Sequence, residues 1–448
     1  MRATVSGLWI GLAFTSMASS CAPGTGPRED ALWRAYRESG APREAPAEDA
    51  RLFETDAPLD RAKLIGAVLA RNPSVAAARE GLRGALAEVE QARGLDDPKI
   101  GYEVAPLSIA GDAPVGQAIS VRQKLPFPGK RRLAGEVALA RAEVDAADLE
   151  AVRLELAQLA SELYDDYYVA ARALEINAHH DQLLAEIKKS AEAQYVAGRA
   201  AQQDPIQAEV ELAQLARERI TLEAERDQIA AQLNGLLHRA PGAQLPPAPA
   251  SLTLVIAPAG TSAELQELAL RRTPRREAAR ARIRAGRTKT AAAQRDFYPD
   301  VELMSSYNTM WDMPEHRWMV GLMIDVPIQR GKRHAAVAQA EAQTARARFE
   351  DERLADQIRV DVDRAYRKVT EAESLLSVLT DKLLPAARAQ VDSARAGFTA
   401  AKNSFLAVVE AQNNLREVEL SLEMTRAELS RRRAALAREV GVAPGGAR

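Results

Sequence analysis

Ser120-Val-Arg-Gln-Lys-Leu-Pro-Phe-Pro-Gly-Lys-Arg-Arg132 decides the fold, because a looser version of it, Leu322-Met-Ile-Asp-Val-Pro-Ile-Gln-Arg-Gly-Lys-Arg333, returns later in the chain. In each copy an alternating, strand-like run ends at a proline, a Gly-Lys-Arg follows, and a long alanine-rich, charged stretch of helical character comes next. Proline fixes φ and cannot donate to a sheet ladder, and glycine permits a sharp change of direction. Pro126, Pro128 and Gly129, and in the second copy Pro327 and Gly331, are therefore read as strand-to-helix junctions. Two copies in register make the chain a tandem repeat.

Working back from the junctions, each repeat opens on a proline (Asn72-Pro73, Thr273-Pro274). A helical pattern then leads to a second proline (Asp97-Pro98, Tyr298-Pro299) at the same interval. Two alternating runs fill the space to the junction, as hairpins over about 98–125 and 299–327. Ile100, Tyr102 and Val104 alternate with Lys99, Gly101 and Glu103, and Val115, Ile119 and Val121 with Gly116, Ala118, Ser120 and Arg122. In repeat two, Val301, Leu303 and Tyr307 oppose Glu302, Ser306 and Asn308, and Trp318, Val320, Leu322, Ile324 and Val326 oppose Arg317, Gly321 and Asp325. Runs of about ten residues match transmembrane strands, apolar toward lipid and polar toward a wet lumen. Two hairpins cannot close a barrel and lipid tolerates no open sheet edge, so several chains would have to pool their strands. A soluble sandwich would alternate in the same way.

Working forward, Ala208, Leu215, Leu222, Ile229 and Leu236 recur at sevens, as do Val408, Leu415, Leu422, Leu429 and Leu436. Their partners are the incoming stretches Arg132 to Tyr195 and Arg333 to Phe398, joined to them by turns at 196–203 and 399–404. Sixty-odd helical residues reach roughly 90 to 100 Å, the scale of a periplasm rather than of a compact domain. Pro385 should kink the second incoming helix. Repeat one thus covers 58–239, a Pro/Ala/Gly-rich linker 240–262, repeat two 263–440 and a tail 441–448.

The 448-residue chain is 27% charged and 4% aromatic with a formal net charge of −2. Its basic and acidic residues are interleaved, which leaves no nucleic-acid footprint. Arg2, an apolar run to Met17 and the small residues Ala18-Ser19-Ser20 read as a signal over 1–20. The lone cysteine, Cys21, follows directly, which excludes an internal disulfide and resembles the acylation site of a bacterial lipoprotein, with an ordinary signal peptide removed nearby as the alternative. The expected form is a covalent lipid on Cys21, an extended tether over 21–57, and no other cofactor. Ala22 rather than aspartate favours the outer membrane in such signals, and no later apolar run is long enough for a membrane helix.

Taken together, the lipobox-like Cys21, the two repeats with two strands each, the Leu-Pro-Phe-Pro-Gly-Lys-Arg junction and Tyr195-x-x-Gly198 followed by Asp204 resemble the outer-membrane efflux proteins, the TolC-like channel-tunnels. The resemblance covers roughly Pro58 to Val440. It implies a mainly α fold with a transmembrane β portion: a homotrimer whose twelve-stranded barrel, four strands per protomer, continues into a long α-helical coiled-coil barrel. It also implies a passive exit duct that docks a periplasmic adaptor and an inner-membrane pump, and the junction and lipobox look most like members serving heavy-metal pumps of the resistance-nodulation-division class. In the family, acidic side chains just past the helical turn narrow the mouth. Those positions fall on Ala407 and Glu410, and on Asp204 and Gln207. A ring of glutamates repels itself and attracts cations, so Glu410 and then Asp204 are the candidate gate, with a solvated surface charge as the competing account. Tyr195 and Gly198, against Phe398 and Ala401, imply two unlike adaptor-docking tips.

Other chemistry is sparse. His179 and His180 are adjacent on a helix and do not converge on one metal. No zinc-protease spacing, phosphate loop or Ser/His/Asp context appears, and no enzyme is expected. Five of the eight methionines, Met304, Met310, Met313, Met319 and Met323, lie in the second hairpin, and all but Met313 fall on its lumen face. Thioethers favour soft ions but are equally flexible filler. The competing function is a lipid-anchored periplasmic coiled-coil scaffold or adaptor; a duct for drug efflux or type I protein secretion is the other alternative.

Overall fold

The computed structural model describes residues 26–39, 53, 57–105, 116–198, 201–311, 313–400 and 402–444. They form two units, each built from discontinuous segments: 1–40, 79–147 and 277–352, and 41–78, 148–276 and 353–448. Cys21 and Ala401 lie outside the described residues.

The first unit holds the sheet. β1 (Lys99–Ala105), β2 (Gly116–Leu125), β3 (Asp300–Asn308) and β4 (Trp318–Asp325) are antiparallel in chain order. Each repeat supplies one hairpin, and β2 of the first pairs with β3 of the second. In register, Tyr102 faces Ile119, Ile119 faces Tyr307, and Tyr307 faces Trp318. The alternation expected from sequence thus gathers the apolar residues on one face, interrupted by Gln117, Gln123 and Ser305.

Helices α2 (Arg61–Arg71) and α3 (Pro73–Arg93) precede β1, and α6 (Ser262–Arg272) and α7 (Pro274–Arg295) precede β3. Each pair breaks at the proline expected to open its repeat, where a missing N–H suits a helix start. Helix α4 (Lys130–Val196) continues from the first junction for 67 residues and returns as α5 (Gln203–Leu236). Helix α8 (Arg330–Val378) leads through a π-turn, Leu379–Leu383, into α9 (Leu384–Thr399), and α10 (Phe405–Val440) returns. The kink expected at Pro385 takes this form: the wider turn lies just ahead of a residue that cannot donate.

In the second unit the heptad positions carry the packing. Ala208, Leu215 and Ile229 of α5 and Val408, Leu422, Leu429 and Leu436 of α10 are buried. Leu429, Leu436 and Val440 join Leu265, Leu270, Ile358 and Val362 in one core. The linker is laid against this unit in extended form: Tyr167 donates to the Pro246 carbonyl at 3.1 Å, and Arg61 to that of Thr253 at 3.1 Å.

Two expectations are corrected. Part of the supposed extended tether is helix α1 (Pro27–Glu38), docked in the first unit by long-range polar contacts. Glu29 is fully buried against Arg93 at 2.6 Å, Arg79 stacks over Tyr36 at 4.3 Å, and Arg28 reaches Glu143. Gly331 is not the turning residue of the second junction either, since it lies within the first turn of α8.

Candidate functional site

The first junction is built around Asp300 and a positive-φ glycine. Gly129 has φ 95, and the Leu133 N–H bonds its carbonyl at 3.0 Å as the helix starts. Asp300 Oδ1 accepts from the Phe127 N–H at 2.9 Å and from Lys130 Nζ at 2.8 Å. Phe127 stacks on Tyr298 with centroids 4.6 Å apart, and Arg295 covers both rings. The Lys of Gly-Lys-Arg therefore ties the end of one hairpin to the start of the next. At the second junction the chain turns on Pro327 instead, with Ile328 N–H bonded to the Val326 carbonyl and Arg330 N–H to that of Ile328, both at 2.9 Å.

The two glycines should respond oppositely to alanine. Gly129→Ala is expected to cost about 1–2 kcal/mol, because it forces a Cβ into the left-handed region. Gly331→Ala, in a helix with open space around it, is expected to be neutral or to add up to about 1 kcal/mol. Denaturant midpoints of the two variants check this.

The sheet has two chemically distinct faces. Ile100, Tyr102, Val104, Ile119, Val121, Tyr307, Trp318, Val320, Leu322 and Ile324 lie on one, and all are exposed. The other carries Lys99, Glu103, Ser120, Arg122, Glu302, Met304, Ser306, Met319 and Met323. Met310 follows β3 and covers Gly116, where an added Cβ would stand 2.3 Å from its Cγ. Met304, Met319 and Met323 thus hold the face read from sequence. Val115 is outside the described residues.

At the far end of the helices, four elements share a core: Ile187 and Ala191 of α4, Ala208 of α5, Val391, Ala394 and Phe398 of α9, and Phe405, Val408, Val409 and Ala411 of α10. Asp204, half-buried, is in the first turn of α5; Glu410, exposed, lies between core residues of α10. The fold therefore brings the two candidate gate carboxylates onto neighbouring helices, which are tied by Arg416 to Glu218 at 2.7 Å. Ala407 and Gln207 are half-buried beside them.

The turns themselves differ. The first uses Gly198 at φ 70, whose N–H bonds the Tyr195 carbonyl at 2.9 Å, and leaves Tyr195 exposed. In the second, Asn403 folds over Gly397, and the Lys402 and Asn403 N–H groups bond the Gly397 carbonyl at 2.8 and 3.1 Å. Phe398 is not presented as a docking residue: it is buried edge-to-face against Phe405 at 5.7 Å. Exposed Val196, Ile206 and Leu406 are apolar tip residues that the sequence reading passed over, and their one signal was standing out of phase with the heptads.

Farther up, His180 is buried and its Nε2 lies 3.1 Å from Glu419 Oε2, with Arg388 of α9 at 3.8 Å from the same carboxylate. The His180 hydrogen bond, opposed by burial and aided by the nearby positive charges, holds the Glu419 carboxyl below its ordinary range. Among the described residues no group of three or more His, Cys, Asp or Glu could hold a metal, and no helix is long and apolar enough to cross a membrane.

A family model described as Outer membrane efflux protein matches residues 265–442. No curated protein matches the sequence. Among solved structures, that of CusC, described in terms of folding and transmembrane channel formation, superposes with a TM-score of 0.74 at 19% identity, covering 87% of this chain and 93% of that one. The outer-membrane channel OprN gives 0.72 at 21%, with 92% of each chain covered. The outer membrane protein VceC from Vibrio cholerae gives 0.70 at 19%, covering 88% and 97%. At these identities the structural matches establish the shared fold.

Proposed function

We propose that this chain belongs to the outer membrane efflux proteins, whose family model matches residues 265–442, and is the exit duct of a tripartite efflux pump. One observation carries the reading. Four strands place a predominantly apolar surface on one face, ten of its apolar side chains exposed and only Gln117, Gln123 and Ser305 interrupting it, while the outer strands β1 and β4 pair with no other strand among the described residues. Such a sheet is stable in lipid only when closed on itself, and four strands are too few. Three copies supply twelve strands, with the apolar face toward lipid and the polar face toward a lumen. The scaffold alternative has no use for a lipid-facing Tyr102, Trp318 and Ile324.

In this reading the first junction's Phe127 and Tyr298 at one end of the sheet and Tyr307 and Trp318 at the other are the two aromatic girdles. Cys21 carries the lipid anchor. The helical tips meet a periplasmic adaptor and, through it, an inner-membrane pump of the resistance-nodulation-division class, with Tyr195 and Gly198 on the more open tip. Three copies each of Glu410 and Asp204 ring the mouth and favour cations. The cargo is metal ions or small toxic compounds, selected by the pump.

The test is conductance of the detergent-purified protein in a planar bilayer under a salt gradient, before and after Glu410→Ala. Discrete, cation-preferring steps that widen or lose their preference in the variant are the expected result. Steps indifferent to the substitution would remove Glu410 from the gate and leave the duct. Folded, trimeric protein that never conducts, even with both carboxylates replaced, would count against the duct itself.

A further inference from the structure

We propose that the polar face of the sheet carries a soft-cation site made by Met304, Met323 and Glu302. The register places Met323 of β4 directly across from Glu302 of β3, and Met304 directly across from Gly321. Met304 and Met323 are therefore diagonal neighbours on one face, a separation of roughly 7–8 Å that long side chains bridge. Gly321 puts no side chain between them: a Cβ built there would stand 3.5 Å from Met304 Cε, so the thioether arm lies over the glycine. Both methionines turn about three bonds and can bring their sulfurs onto one ion.

Charge completes the site. Lys124 is directly across from Glu302 on the other side, yet its Nζ lies 3.6 Å from Asp300 and 3.9 Å from Asp325. Lys130 takes the other Asp300 oxygen at 2.8 Å. Glu302 forms no ion pair among the described residues, so a carboxylate without a cation stands beside two thioethers. Arg122 stands directly across from Met304 on the same face, and Glu302 offsets its charge, so the two soft sulfurs decide the preference: a monovalent soft ion, Cu(I) or Ag(I), over calcium or magnesium, which demand oxygen shells. Met319 is the other diagonal neighbour of Met304, beside Ser306. It is four residues from Met323 along β4, about 13 Å at 3.3 Å per residue, too far to share their ion. It forms a second step along the same face, with Met304 common to both.

Binding rests on the sheet register alone, and only the lumen placement depends on the duct reading. A failed titration therefore leaves the conductance result standing. The experiment is calorimetric titration of Ag(I), in chloride-free buffer, into the detergent-purified full chain. Cys21 is kept in every variant so that its contribution cancels. Saturable binding is expected, weakened at least about 100-fold in Met304→Leu/Met323→Leu and about 10-fold in Glu302→Gln. Met313→Leu, in the loop between β3 and β4, should titrate like the parent. Leucine matches methionine in volume, so these variants should keep parental circular dichroism and oligomeric state. Absence of saturable Ag(I) binding, or a double variant that binds like the parent, would overturn the site.

Discussion

Arg61→Ala is expected to destabilise the second unit by about 3–5 kcal/mol, the cost of stranding a buried charge. Arg61 Nη2 lies 2.5 Å from Asp165 Oδ1, with side-chain exposures of 9% and 0%. Its Nη1 donates to Ser161 Oγ at 2.6 Å, and the guanidinium sits 4.4 Å above the Tyr164 ring. One side chain thereby ties α2, α4 and the linker together, and alanine removes every tie at once. Burial already pushes the Asp165 carboxyl above its ordinary value, although the hydrogen bond and charge of Arg61 pull it down. Without Arg61 the carboxyl rises further. A folded value above the unfolded one means stability that is present at low pH and lost as pH rises through the folded value. The variant's urea midpoint should therefore fall more steeply than the parent's as pH rises above the ordinary carboxylate range. Arg61→Ala/Asp165→Asn removes the stranded charge and should recover much of the loss. A single variant within about 0.5 kcal/mol of the parent would show the pair to be worth little, as surface pairs are.

That pair also marks what was legible in the sequence and what was not. Residues 61 and 165 are far apart in the chain, and nothing local distinguishes this arginine from the many on helix surfaces. Helix α1 escaped for the same reason. Its hold depends on Glu29 meeting Arg93 across 64 residues, and its composition is that of a tether. Local rules succeeded where the signal is periodic: the alternation of β1 to β4, the heptads of α5 and α10, and the prolines at 73, 98, 274 and 299. They half-succeeded at the junctions. Gly129 takes the left-handed backbone that only the first copy needs, whereas the second turns before its glycine is reached. At the tips, motif matching placed Phe398 on the outside, but packing against Phe405 decides its position. The candidate gate carboxylates Glu410 and Asp204 were legible as residues, while a ring is a property of several copies.

Leu322→Lys and Met323→Lys, neighbours in sequence, should behave oppositely. Leu322 stands on the apolar face midway between Trp318 and Val326, and in the proposed barrel it would face the hydrocarbon centre. A lysine there would cost about 2–4 kcal/mol per copy, repeated in each copy of the proposed trimer. Heat-resistant trimer in the outer-membrane fraction should be lost or strongly depleted. Met323 points to the opposite face, across from an unpaired Glu302, where a lysine gains a carboxylate and stays in water. Its trimer should assemble normally, with silver binding abolished. The contrast is diagnostic because Leu322 is already 60% exposed in the isolated chain, so a water-soluble sheet would accept lysine at either position. Equal tolerance of both would leave the apolar face without lipid to cover it and return the scaffold reading. Loss of trimer from Leu322→Lys alone assigns the two faces, one to lipid and one to the passage.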